Sequence, residues 1–91
     1  MKINLDDKEE ELKTRLMETI LEYMEGRRTF RSVLAFGITA YSRSKPSKNP
    51  DIAEIVLQLN AMGNQIADGK IFSKEDVKEI FTNMLESLIK D

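Results

Sequence analysis

The feature that most constrains the fold is an uncharged run within a chain that is rich in charge. Of the 91 residues 33% are charged, yet no charged residue occurs between Ser32 and Ser42. In the segment Phe30–Tyr41, apolar residues cover most of the circumference of a helix. They are Phe30, Val33, Leu34, Phe36, Gly37, Ile38, Ala40 and Tyr41. Because a helix that is apolar on most sides is normally buried, we expect a central helix here with the other helices packed against it.

Apolar residues at three- and four-residue spacing predict four helices. Their expected bounds are about 7–25, 30–42, 50–68 and 74–90. Asn49 followed by Pro50 is typical of a helix start, Ser73 is a second candidate N-cap, and Gly26 is typical of a helix end. The short connections predict an all-α fold, a four-helix antiparallel bundle in a single domain. A dimer that completes the bundle core across a two-fold axis is the alternative.

The composition removes several kinds of chemistry. The chain has no cysteine and no histidine, which excludes disulfides, thiolate zinc sites, thiol nucleophiles and a histidine base. The carboxylates alternate with lysines on helix faces, as they do on solvated surfaces. We therefore expect no enzymatic activity, no catalytic residue, no cofactor and no metal.

The segment Asp68–Glu75 is similar to the second half of a calcium-binding EF-hand loop. In the first half, Asn64 and Ile66 occupy positions where oxygen ligands are needed, and Ile66 supplies none. We therefore expect no calcium site. The N-terminal residues are not those of a signal peptide, and the longest apolar run is far shorter than the ~20 residues that a membrane span needs. The expected localisation is cytoplasmic, with no transmembrane segment.

Charge is divided unevenly along the chain. The segment Gly26–Pro50 carries a charge of +6 and the remainder carries −8. The candidate basic contacts for nucleic acid are Arg27, Arg28, Arg31, Arg43, Lys45 and Lys48. Met1–Leu5 followed by two helices also resembles a ribbon-helix-helix regulator, in which an N-terminal strand enters the major groove of DNA. The first helix is about two turns too long for that family, and an acidic run follows the strand. DNA binding is therefore the alternative function.

A stripe of small residues on the central helix suggests a helix contact. The stripe is formed by Ser32, Ala35, Thr39 and Ser42. Small side chains let another helix approach closely, and either the bundle or a partner protein can fill the gap. An intramolecular contact is the default, and a partner interface is the functional interpretation.

The sequence resembles the class IIa bacteriocin immunity proteins in three features. These are the helix order, Asn60 in an apolar third helix, and the segment Lys70–Glu75 before the last helix. The acidic composition and the absence of a long C-terminal tail depart from that family. The resemblance implies a non-catalytic four-helix bundle that engages a bacteriocin–receptor complex at the inner membrane face. A protein partner is thus our main expectation, with a homodimer and nucleic acid as alternatives.

Overall fold

The computed structural model of the chain describes residues 7–43 and 49–90. They form four α-helices and, within the described residues, no strand. The helices are α1 (Asp7–Met24), α2 (Phe30–Arg43), α3 (Pro50–Ala67) and α4 (Lys74–Lys90). Every bound lies within one residue of the expected one, so the predicted helical bundle is confirmed. The strand expected at Met1–Leu5 for a ribbon-helix-helix fold lies outside the described residues.

Polar side chains fix the starts of three helices. The Asn49 Oδ1 atom accepts hydrogen bonds from the backbone N–H groups of Asp51 at 2.9 Å and Ile52 at 3.3 Å. Thr29 Oγ1 accepts from Ser32 N–H at 3.1 Å, and Ser73 Oγ accepts from the N–H group three residues later at 3.0 Å. These bonds satisfy amide groups that have no partner inside the helix.

Glycines end α1 and α3 at the same end of the bundle. Gly26 has a φ of +81° and Gly69 a φ of +99°, which a glycine adopts without steric cost. The residue after each glycine donates its N–H to a carbonyl five residues earlier, Arg27 to Glu22 at 2.8 Å and Lys70 to Gln65 at 2.9 Å. This pattern is the Schellman motif, which satisfies the last carbonyls of a helix and reverses the chain.

Helices that are neighbours in sequence are neighbours in space, and α1 also packs against α4. The arrangement is therefore that of an antiparallel four-helix bundle. The radius of gyration is 13.0 Å, close to the ~12 Å expected for a compact chain of this length. Buried apolar side chains from all four helices form one core. They are Leu16, Ile20, Val33, Leu34, Ala40, Ile52, Ile55, Val56, Leu59, Met62, Val77, Phe81, Met84 and Leu88.

The packing of α2 against α3 is the most extensive helix contact, and glycines make it close. A Cβ atom placed on Gly37 would lie only 2.4 Å from Leu59 Cβ. A Cβ atom on Gly63 would lie 2.7 Å from Ile38 Cδ1. The two helix backbones therefore approach each other where a side chain is absent, and this contact sets the position of α2.

The expectation that α2 is a central helix buried on most sides is wrong. Ile38 is 37% exposed and Tyr41 is 50% exposed, and Phe36 is only half-buried. The reason is geometric: α2 packs against α1 and α3, and the described residues place no helix over its outer side. α3 buries more large side chains than α2 does. Among the described residues, no helix combines the length and the apolar character needed to cross a membrane.

Candidate functional site

The four helices differ sharply in charge. α1 carries nine charged residues and α4 carries seven, whereas α2 and α3 together carry four. In α3, no charged residue occurs between Ile55 and Ala67. Because α1 packs against α4 and α2 against α3, the bundle has one charged side and one side that is almost free of charge.

The uncharged side presents a continuous surface, which we call the α2–α3 face. Its members are Arg31, Ala35, Ile38 and Ser42 on α2, and Ala53, Leu57, Asn60 and Asn64 on α3. All are exposed except Ala53 and Asn60, which are half-buried. Spacings of three, four and seven residues place the members of each helix on one side of it. Ile38 joins the two rows because it contacts α3 at Gly63.

The small-residue stripe predicted on α2 is only partly within this face. Ala35, Thr39 and Ser42 are exposed, so the described helices do not fill the gap that small side chains leave. Ser32 differs, because it is half-buried and its Oγ accepts a hydrogen bond from the Arg28 guanidinium at 2.8 Å. Of the four predicted interface residues, the structure therefore leaves three available to a partner.

Two of the candidate basic contacts are engaged with carboxylates. Both Arg28 Nε and Nη2 donate to Glu22 Oε1, at 2.8 and 2.6 Å. Arg27 Nε donates to Glu25 Oε1 at 3.1 Å, and this hydrogen bond raises the pKa of the Arg27 guanidinium. These ion pairs weaken the positive potential at this end of the bundle. Arg31 is exposed. The side chain of Arg43 and the whole of Lys45 and Lys48 lie outside the described residues.

A shallow groove of about 260 Å³ runs between α3 and α4. Its lining combines the apolar side chains of Ile55, Ile80 and Met84 with the polar side chains of Asp51, Glu54, Gln58, Asn83 and Ser87. In the described part of the chain, no group of three or more acidic side chains is placed to hold a metal ion.

The residues that resemble a calcium loop do not form one. α3 remains helical through Ala67, so the first four positions of the expected loop belong to a helix. Asp68 and Glu75 are exposed, at the end of α3 and in the first turn of α4. The helix dipole favours a carboxylate at the position of Glu75, in the first turn of α4, whereas Asp68 ends α3 through its backbone N–H group.

The apolar pattern of the sequence did not single out four further residues that are exposed, Leu21, Leu57, Ile71 and Ile89. Leu57 is 53% exposed and Ile71, in the loop between α3 and α4, is 89% exposed. The signal for Leu57 was present, because it falls outside the apolar stripe Ile52, Ile55, Val56, Leu59, Met62 and Ile66. A large apolar residue opposite the buried stripe of a helix is a candidate for contact with a partner molecule.

Comparison with known proteins adds no relative. No protein-family model matches the chain, and neither the curated proteins nor the solved structures contain a significant match. The functional argument therefore depends on the geometry and charge of the bundle.

Proposed function

We propose that this chain is a non-catalytic, cytoplasmic helical module that binds a partner protein through the α2–α3 face. The observation that carries the proposal is the absence of charge on this side of a highly charged bundle. The face has one charged residue, Arg31, at one end. The centres of protein–protein interfaces are depleted in charged side chains in the same way.

The side chains of the face support this proposal. Ile38 and Leu57 supply apolar surface that is 37% and 53% exposed. Ala35, Ser42 and Ala53 are small, which allows the backbone of a partner helix to approach closely. Asn60 and Asn64 supply donors and acceptors for the polar rim that such interfaces have. The lack of histidine and cysteine and the solvated positions of the carboxylates agree with a binding role.

The proposal is tested with a photoreactive amino acid, benzoylphenylalanine, placed at Leu57 in the full chain and irradiated in the cell. We expect a discrete adduct from position 57, because the side chain at this position would lie inside the interface. The control places the same residue at Glu79, which is exposed on α4, and should give no specific adduct. Adducts of equal yield from both positions, or none from position 57, would contradict the proposal.

Immunity to a class IIa bacteriocin is the specific setting that the sequence resemblance suggests, and the four-helix order agrees with it. In that setting the adduct from position 57 should contain a component of the bacteriocin receptor. The same face should then be required for protection of a sensitive strain.

DNA binding, the alternative function, predicts a different result. The substitutions Arg27→Gln, Arg28→Gln and Arg31→Gln made together would remove the described basic contacts. If these arginines bind DNA phosphates, each lost contact should reduce the slope of log K against log salt by about 0.9. We expect weak or no duplex binding by the wild-type chain at about 50 mM salt, because two of the arginines are paired with Glu22 and Glu25. A steep salt dependence that the triple variant abolishes would favour the DNA-binding alternative.

A further inference from the structure

We infer that the groove between α3 and α4 is a second binding site, which accepts a helix that carries lysine or arginine from a partner protein. The inference goes beyond the proposed function, because it uses a different surface. Ala53 and Leu57 of the α2–α3 face lie on one side of α3, whereas Glu54 and Gln58 line the groove on another. The shape and the charge of the groove identify its occupant.

The groove is straight because both of its walls are helices. On each helix the lining residues recur at three-, four- and seven-residue spacing, which places them on one side of that helix. They extend from Asp51 to Gln58 on α3 and from Ile80 to Ser87 on α4. Each wall is therefore about 10 Å long, or two turns of a helix. A third helix can lie along such a groove, as amphipathic helices do in other protein grooves.

The lining suits a side chain that is apolar along its stem and charged at its end. Ile55 and Met84 are buried and Ile80 is half-buried, whereas Glu54 and Asn83 are exposed. Apolar surface therefore lies deep in the groove, and polar groups lie nearer to solvent. Lysine and arginine have an aliphatic stem and a cationic end. The stem would pack against Ile80, and the cation would reach the carboxylate of Glu54.

The charge of the groove selects a basic occupant over an acidic one. Two carboxylates, those of Asp51 and Glu54, line the groove, and no lysine or arginine of the described residues does. α1 has six acidic and three basic residues, and α4 has four acidic and three basic, a net charge of −4 for the two helices. Since α4 forms one wall of the groove, the charge of this side of the bundle also attracts cations.

The helix itself does not account for Glu54. Asp51 lies in the first turn of α3, where the helix dipole favours a carboxylate. Glu54 lies beyond that turn, and the rest of α3 after it is uncharged. None of the ion pairs within residues 7–43 and 49–90 involves Glu54. An exposed carboxylate in a groove, unpaired within the described chain, is placed to receive a cation from a partner.

The first test measures the binding of two synthetic peptides to the full chain by isothermal titration calorimetry. One is an alanine-based helical peptide with lysines four residues apart, and the other has glutamate in place of every lysine. We expect a saturable one-to-one complex with the lysine peptide and none with the glutamate peptide. Comparable binding of the two peptides, or binding of neither, would overturn the inference.

A pair of charge-reversed variants tests the role of Glu54. Glu54→Lys should raise the dissociation constant of the lysine peptide at least about fivefold, because an ion pair is lost and a repulsion is added. Glu18→Lys is the control, since it changes the net charge equally and Glu18 is exposed on α1, which does not line the groove. It should have a much smaller effect. Equal weakening by both variants would mean that only the overall charge attracts the peptide, and the inference would be wrong.

A second pair of variants locates the peptide on the bundle. Asn83→Arg places a cation in the groove at an exposed position and should abolish binding of the lysine peptide, with circular dichroism checking that the variant folds. Leu57→Asp should leave the peptide bound, because Leu57 belongs to the α2–α3 face. Loss of binding in Leu57→Asp alone would place the peptide on that face and overturn the inference.

Spermidine tests whether the occupant must be a helix. We expect it to displace the lysine peptide only at much higher concentration, because it lacks the contacts that a helix makes along both walls. Displacement at equal concentration would show that the groove takes a small polycation instead. The photoadduct from position 57 does not depend on these results, so the proposed function and this inference can fail separately.

Discussion

Phe81→Ala should lower the free energy of unfolding by about 3–5 kcal/mol, the largest stability loss we expect from a single truncation. Phe81 is fully buried. Its ring contacts Tyr23 edge-to-face with centroids 5.2 Å apart, and Phe30 with centroids 5.9 Å apart. Phe30 in turn contacts Phe72 at 6.0 Å. The substitution would leave a cavity where α1, α2 and α4 meet. The loss in the free energy of unfolding is measured by urea unfolding monitored by circular dichroism.

Phe36→Ala is the control for this prediction. Both substitutions remove the same atoms, but Phe36 is half-buried at the side of α2 and the cavity it leaves is open to water. We expect a clearly smaller loss than for Phe81→Ala. Both variants should be compared at one protein concentration, because self-association shifts the apparent stability. An equal or larger loss for Phe36→Ala would show that the core is centred on α2.

Gly37→Ala should destabilise the bundle even though alanine is the better helix former. The added Cβ would lie 2.4 Å from Leu59 Cβ and 2.9 Å from Leu59 Cδ1. Since Leu59 Cβ is bonded directly to the α3 backbone, the helices themselves must move apart. Overpacking of this kind costs about 1–3 kcal/mol, more than the ~1 kcal/mol gained in helix propensity. Thermal and urea unfolding should both report the net loss.

Gly63→Ala is the matched substitution on the facing helix. Its Cβ would meet Ile38 Cδ1 at 2.7 Å, the far end of a side chain that is 37% exposed and can rotate. We expect unchanged stability or a gain of up to about 1 kcal/mol from helix propensity. Equal destabilisation by both alanines would mean that the side chain of Ile38 is held as firmly as the α3 backbone.

The sequence by itself determined the helices and their ends. Asn49 and Ser73 act as N-caps and Gly26 ends α1, as their sequence neighbours indicate, because capping is a local property of a few neighbouring residues. The apolar spacing also identified most of the core, since a residue at the centre of an amphipathic stripe is buried in almost any bundle. These features do not depend on which helices pack together.

Only the tertiary structure decided which apolar residues remain exposed. The uncharged run of α2 predicted burial on most sides, but packing against α1 and α3 leaves Ile38 and Tyr41 exposed. The same packing leaves the stripe at Ala35, Thr39 and Ser42 in contact with solvent. The place of Leu57 on the α2–α3 face was likewise decided by the tertiary structure, because its position relative to α2 depends on how α2 and α3 pack. The pairing of Arg28 with Glu22 likewise depends on the turn between α1 and α2. A one-dimensional pattern records the sides of a helix, whereas the packing of its neighbours determines which of those sides are covered.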